Sequence, residues 1–299
     1  MSMTSIEICA GAGGQALGLE KAGFEHVSLV ELDTTACQTL RLNRNHWHVT
    51  EGDLRYYSAE KWKGVELLAG GVPCPPFSKA GKQLGKEDER DLFPEAVRLV
   101  SECRPKAVML ENVRGLLDTV FDEYRAKLIA DLKRLGYIAE WRLLNASDFG
   151  VPQLRPRVIF VALEKNAAEY FNWPSALTTA APTVGEALFD LMAANGWTGA
   201  RQWREKACDI APTLVGGSKK HGGPDLGPTR AKKAWASIGV DGMGIANDAP
   251  EKDFVGMPRL TTRMAARIQG FPDNWQFSGK KQLPIVKSGM PSLPPLLLL

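Results

Sequence analysis

The chain has 299 residues, of which 44% are hydrophobic and 24% charged, and a net charge of +3. That length leaves room for two compact units, the composition is that of an ordinary globular protein, and no apolar run reaches the ~18 residues that would cross a bilayer. The start, MSMTSIEICAGAGG, lacks a charged-then-apolar leader pattern, so a cytoplasmic protein without membrane contact is expected. Five scattered cysteines (Cys9, Cys37, Cys74, Cys103 and Cys208) have no ligand spacing, which argues against a disulfide framework and against a zinc site. No metal is expected.

Ser5–Cys9 reads as a first strand and runs into Cys9-Ala10-Gly11-Ala12-Gly13-Gly14-Gln15-Ala16, a G-x-G-x-x-A turn that opens a helix. Glycines there let the backbone approach a ligand closely, and a helix N-terminus favours negative charge. A second strand, Val27–Leu32, brings Glu31 to its end, where an acid can accept hydrogen bonds from ribose hydroxyls. Thr34–Asn43 follows as a helix, and Asp53 closes a third unit, positioned to meet an adenine amino group. Glycine turn, acid, acid fits an adenosine-containing ligand, a nicotinamide dinucleotide included.

Val65–Ala69 reads as a buried strand leading into Gly70-Gly71-Val72-Pro73-Cys74-Pro75-Pro76-Phe77-Ser78. Prolines on both sides of Cys74 fix the backbone and remove amide donors, a setting suited to aiming a thiol from a strand end. Asp91–Cys103 has a helical pattern. Strand Ala107–Leu110 leads to Glu111-Asn112-Val113, which puts Glu111 at the same sheet edge as Cys74. The helix Asp118–Leu135 has apolar positions at Phe121, Tyr124, Leu128, Ile129, Leu132 and Leu135. Strands Ile138–Leu144 and Arg157–Leu163 complete the alternation, the second entered through Gln153-Leu154-Arg155-Pro156-Arg157. Alternation of this kind predicts a doubly wound, mostly parallel α/β sheet covered by helices on both faces.

Beyond Leu163 the texture changes. Residues 164–258 are rich in Gly, Pro, Ala and Trp with weak periodicity, and predict a smaller irregular domain. Within it Lys219, Lys220, His221, Arg230, Lys232 and Lys233 stand against one acid, Asp225. This suits a loop laid along phosphates and equally a solvated basic face. A helical pattern returns near Arg259 and ends in Gly270-Phe271-Pro272.

Taken in order, these segments resemble the cytosine-5 DNA methyltransferases. Cys9–Gly14 is similar to that family's first motif, Pro73-Cys74 to its catalytic motif and Glu111-Asn112-Val113 to its acid motif. Gln153-x-Arg155-x-Arg157 is similar to the eighth motif and Arg259–Pro272 to the ninth. The resemblance implies a Rossmann-like class I methyltransferase fold. Residues 1–163 would form the catalytic, cofactor-binding domain, 164–258 the target-recognition domain, and 259–299 a segment returning to the first.

It also implies S-adenosylmethionine as methyl donor, held by Cys9, Ala10, Gly11, Ala12, Gly13, Gly14, Glu31, Leu32, Asp53, Leu54 and Pro73. Cys74 would add to carbon 6 of a cytosine flipped out of duplex DNA. Glu111 would bond or protonate ring nitrogen 3, with Arg155 and Arg157 beside it and Arg157 holding the base oxygen. Lys79 to Phe93 corresponds to a loop that closes over the base, with Ser78 and Arg90 on flanking phosphates. Thr213-Leu214 resembles a short recognition-domain element, and the resemblance favours DNA contact by Lys219, Lys220 and Arg230.

The expected partner is double-stranded DNA, bound by a monomer, with a companion restriction endonuclease making no stable contact. An RNA cytosine-5 methyltransferase and a catalytically impaired DNA-binding relative are the alternatives. The second is raised by two departures. Met264 stands where the ninth motif commonly has glutamate, which predicts a weakened ion pair supporting the recognition domain. After Lys281 the family expects Tyr-Arg-Gln-Ile-Gly-Asn-Ala-Val-Pro, whereas this chain reads Gln282-Leu283-Pro284-Ile285-Val286-Lys287-Ser288-Gly289-Met290-Pro291. A reading frame displaced by one base is compatible with Tyr-Arg-Gln-Ile-Gly-Asn-Ala. The alanine is forced at Met290–Pro291, because methionine has one codon. A frameshifted tail is therefore expected, with reduced cofactor affinity or stability.

Overall fold

The computed structural model describes residues 2–73, 91–215 and 225–279. Cys74, Ser78, Arg90, Lys219, Lys220 and the tail after Lys281 lie outside the described residues. Among the described residues seven strands form one sheet: β1 (Met3–Ile8), β2 (Phe24–Glu31), β3 (Val49–Glu51), β4 (Leu67–Gly70), β5 (Ala107–Val113), β6 (Tyr137–Asn145) and β7 (Pro156–Glu164), in the order β3-β2-β1-β4-β5-β7-β6. The first five run parallel, whereas β7 is antiparallel to both neighbours, with Val113 opposite Arg157. The doubly wound, mostly parallel sheet expected from the alternation is therefore present. Strand β3 was not foreseen, because three residues leave no period to detect.

Helices α1 (Gly14–Lys21) and α2 (Thr34–Asn43) contribute Ala16, Leu17 and Leu40 to a cluster with Leu29 of β2. Helices α3 (Phe93–Cys103) and α4 (Asp122–Arg134) bury Phe93, Leu99, Leu128 and Leu132 with Ile6, Ile8 and Val30 on the opposite face. Alternate residues of β1 and β2 thus serve different layers, as the two-residue strand period requires. Gly70 is needed where β4 crosses close to β1, since a Cβ there would lie 2.4 Å from the Ile8 carbonyl oxygen. No described helix is long and apolar enough to cross a membrane.

Between β7 and residue 258 the described residues carry four short helices and no named strand: α5 (Lys165–Ala168), α6 (Val184–Met192), α7 (Ala200–Lys206) and α8 (Thr229–Ser237). Their buried residues, among them Leu188, Trp203 and Trp235, share one apolar cluster with Leu260, Met264, Ile268, Phe271 and Trp275, and through these with Leu17, Leu40 and Trp47. The last helix among the described residues, α9 (Thr262–Ile268), buries Met264, Ala265 and Ile268 in this cluster. Arg267 on it pairs with Asp190 of α6 and with Asp273.

The Met264 position has a local meaning that the sequence did not disclose. Thr261 is the N-cap of α9; its hydroxyl accepts from the Met264 N–H at 3.2 Å, and the Met264 sulfur accepts from the Thr261 N–H at 3.4 Å. The side chain at 264 completes a capping box, with a thioether in the acceptor role usual for glutamate. It is fully buried, so the apolar body of methionine suits the site. Thr261→Ala should cost about 1 kcal/mol and lower the melting temperature by about 2 °C, measured by thermal denaturation. An unchanged midpoint would show the cap to be dispensable.

Candidate active site

The turn after β1 is built on positive φ angles at Cys9 (54°), Gly11 (56°) and Gly13 (88°). Its amides are held in place: Ala10 N–H donates to the Val30 carbonyl (3.1 Å), Gly11 N–H to Glu31 Oε2 (2.7 Å), and Gly13 N–H to the Ala10 carbonyl (3.1 Å). The other Glu31 oxygen accepts from Asp33 N–H at 2.8 Å. Glu31 therefore ties the first and second strand ends together, and each carboxylate oxygen keeps a lone pair for a ligand hydroxyl. Leu32, next in sequence, is 67% exposed, leaving an apolar surface beside the acid. The Cys9 thiol is pushed up to about 12 by burial and by the Glu31, Glu7 and Asp53 carboxylates, so it is no nucleophile.

Asp53 caps the short turn that follows it, accepting from Arg55 N–H at 2.9 Å, and its carboxylate pairs with the Arg55 guanidinium at 2.6 Å. That hydrogen bonding holds it below the usual carboxylate range. Leu54 is buried in the core. Ala10, Ala12, Gly13 and Gly14 are likewise buried.

At the carboxyl end of β4, Asn112 Nδ2 donates to the Val72 carbonyl at 2.8 Å, while its Oδ1 accepts from Val113 N–H at 2.8 Å. The Pro73 carbonyl accepts from Leu92 N–H at 3.3 Å. The chain entering Cys74 is thus fixed from the neighbouring strand and from the start of α3. The position of Asn112 in its motif does not disclose this contact; only the fold brings its amide across to Val72.

Glu111 is buried at the end of β5, with Arg157 Nε 2.6 Å from its Oε1. Burial pushes the Glu111 carboxyl up to about 7, against the opposing pull of Arg157 and Arg155. Burial also lowers both arginines from their ordinary value. Gln153 is fully buried, and neither end of its side-chain amide has a hydrogen-bond partner among the described residues; the same holds for Arg155 Nε. Buried polar groups are nearly always satisfied, and these donors and acceptors are open to a further polar partner.

The middle region reaches this edge. Ala211 bridges Gln153, Leu154 N–H donates to the Ala211 carbonyl at 2.7 Å, and the Thr213 hydroxyl donates to the Leu154 carbonyl. Leu214 is 2% exposed and belongs to the large apolar cluster, so its side chain packs the region rather than meeting a surface ligand. Arg230 is exposed on α8, and nearby Lys232 is engaged by Asp225 at 2.5 Å. Of the residues singled out from sequence, the fold brings Glu111, Arg155 and Arg157 to one edge with Pro73, and groups Cys9–Gly14 with Glu31.

The family model of C-5 cytosine-specific DNA methylases matches residues 3–298. The chain is 59% identical over 284 residues to the type II methyltransferase M.NgoMIV of Neisseria gonorrhoeae, covering 94% of this chain and 90% of that protein. It is 60% identical over 287 residues to the type II methyltransferase M.NaeI of Lentzea aerocolonigenes, covering 94% and 69% respectively. Among solved structures, a prophage-encoded DNA modification methyltransferase of E. coli superposes with a TM-score of 0.68 at 24% identity, over 99% of this chain and 97% of that one. The S. pombe Dnmt2 methyltransferase gives 0.59 at 14%, over 99% and 93%; both likenesses concern the fold.

Proposed function

The chain belongs to the C-5 cytosine-specific DNA methylase family, and from that premise we propose that its DNA (cytosine-5-)-methyltransferase activity resides at the sheet edge where β4, β5 and β7 meet, with S-adenosylmethionine as donor. The observation that carries this reading is Glu111 buried against Arg157 beside the strand end that delivers Pro73 and Cys74.

Bound against the glycine turn, S-adenosylmethionine supplies an electrophilic methyl group. Glu31 would accept from its ribose hydroxyls, Leu32 would cover the adenine, and Asp53, with its neighbour Leu54, would close the far end. The Cys74 thiolate adds to carbon 6 of the cytosine, and electron density moves onto carbon 5 and toward ring nitrogen 3. Glu111, its carboxyl pushed up to about 7 by burial, would share its proton with that nitrogen. Arg157 would hold the base oxygen, and Arg155 adds positive charge next to it. After methylation the carbon 5 proton leaves to a base, and elimination frees Cys74. The base must be out of the duplex for any of this, and Ser78 and Arg90 would hold the phosphates beside it.

Residues 164–258 are assigned to target recognition, with Thr213 beside the Gln153–Arg155 segment and Arg230, Lys219 and Lys220 toward the DNA backbone. The protein would act as a monomer on double-stranded DNA, in a restriction-modification system whose endonuclease needs no stable contact with it. Incubation with tritiated S-adenosylmethionine and either duplex DNA or transfer RNA tests the reading. Label should appear as 5-methylcytosine in DNA; label confined to RNA overturns the substrate, and label in neither favours the impaired relative.

A further inference from the structure

We propose that Trp275 is a positioning residue for the cofactor: it fixes the glycine turn from the far side, and S-adenosylmethionine affinity depends on its indole N–H. The inference rests on the assignment of Cys9–Gly14 to the cofactor site.

Trp275 lies in the segment after α9, more than 250 residues from the turn, and is 2% exposed. Its Nε1–H donates to the Ala12 carbonyl at 3.2 Å. The peptide between Ala12 and Gly13 is thereby held at both ends, because Gly13 N–H already donates to the Ala10 carbonyl at 3.1 Å. The indole ring also presses on the turn: a Cβ at Gly13 would lie 3.0 Å from Trp275 Cζ2 and 2.6 Å from Leu40 Cδ2. Glycine at position 13 therefore answers two demands, a φ of 88° and a tryptophan against its α-carbon.

The ring itself is set from the other side. The Arg44 guanidinium sits 5.3 Å from its centroid and is forked onto Glu20, and Phe271 and Trp47 lie 5.8 and 6.1 Å away. The segment is further tied to α2 by Asn43, whose amide exchanges two hydrogen bonds with the Gln276 backbone at 2.7 and 2.8 Å. A turn whose backbone must meet a ligand at a fixed distance gains from such a clamp, since the bound geometry is set before the ligand arrives. Tryptophan suits the role because it offers a single donor on a large apolar body.

The test compares Trp275→Phe with Asn43→Ala in the full chain. Trp275→Phe should raise the KM and Kd for S-adenosylmethionine about three- to tenfold, the loss of one buried hydrogen bond, with kcat at saturating donor and the KM for DNA unchanged. Asn43→Ala loosens the same segment without touching Ala12; it should lower thermal stability and leave the donor KM within about twofold. Should Trp275→Phe fail to fold, β-(3-benzothienyl)alanine at position 275 keeps both rings and removes the N–H, and the same rise is expected. An unchanged donor KM in the N–H-free variant, or an equal rise in Asn43→Ala, overturns the proposal. Failure of the unaltered protein to bind S-adenosylmethionine at all would instead remove the assignment of the turn, and the proposal with it.

Discussion

Glu111→Gln should lower the rate of methyl transfer about 10²- to 10⁴-fold, the usual contribution of a positioned acid. Glutamine keeps the size of the side chain and can still donate a hydrogen bond, but it cannot give up a proton as charge develops on the ring. The pH dependence carries a sign. Burial raises the Glu111 carboxyl to about 7, so the acid form dominates below pH 7 and is lost as pH rises through it. A descending limb in kcat/KM is therefore expected near pH 7 in the unaltered enzyme. Glu111→Gln should lose that limb. A variant within threefold of the parent, or one that retains the limb, would show that Glu111 only packs against Arg157. Stability is best compared at pH 6, where the native carboxyl is mostly neutral and glutamine is its closest uncharged equivalent.

Cys74→Ser should reduce turnover at least about 10⁴-fold, as removal of a covalent nucleophile does elsewhere, and should abolish covalent trapping on duplex DNA containing 5-fluorocytosine. Fluorine cannot leave carbon 5 as a proton does, so an adduct formed by Cys74 accumulates when the methyl donor is present. A serine hydroxyl is too little ionised to add at a useful rate. The other thiols offer no substitute within the core: burial pushes Cys9, Cys37 and Cys103 up to about 12. A denaturation-resistant adduct in the parent and none in the serine variant is the expected pair of results. An adduct that survives the substitution would move the nucleophile to another residue.

Much of this was legible in the order of the residues. The glycine turn at Cys9–Gly14, the acid at Glu31 and the buried strand leading to Pro73 follow from local rules of spacing and backbone freedom, and the structure places each at a strand end. The helix Thr34–Asn43 has the predicted bounds. Local rules could not reveal contacts between residues far apart in sequence. Trp275 on Ala12, Asn112 on Val72 and Met264 closing the cap of α9 depend on which side chains meet once the chain is packed. Leu214 shows the converse: the Thr-Leu pair stood out as an element of recognition, and packing takes the leucine into the core while leaving the threonine at the edge.

The motif order by itself pointed to the family and its activity, because Cys74, Glu111 and the two arginines of Gln153–Arg157 stand in the order that the resemblance calls for. Only the tertiary structure decided that Glu111, Arg155 and Arg157 stand together. In a wholly parallel sheet, a segment entering a strand lies at the edge opposite to one leaving a strand, and Arg155 and Arg157 would stand a full strand length from Glu111. Strand β7 runs antiparallel to β5, with Arg157 opposite Val113. Its entrance therefore coincides with the exit of β5, and this reversal of one strand brings the arginines to the carboxylate.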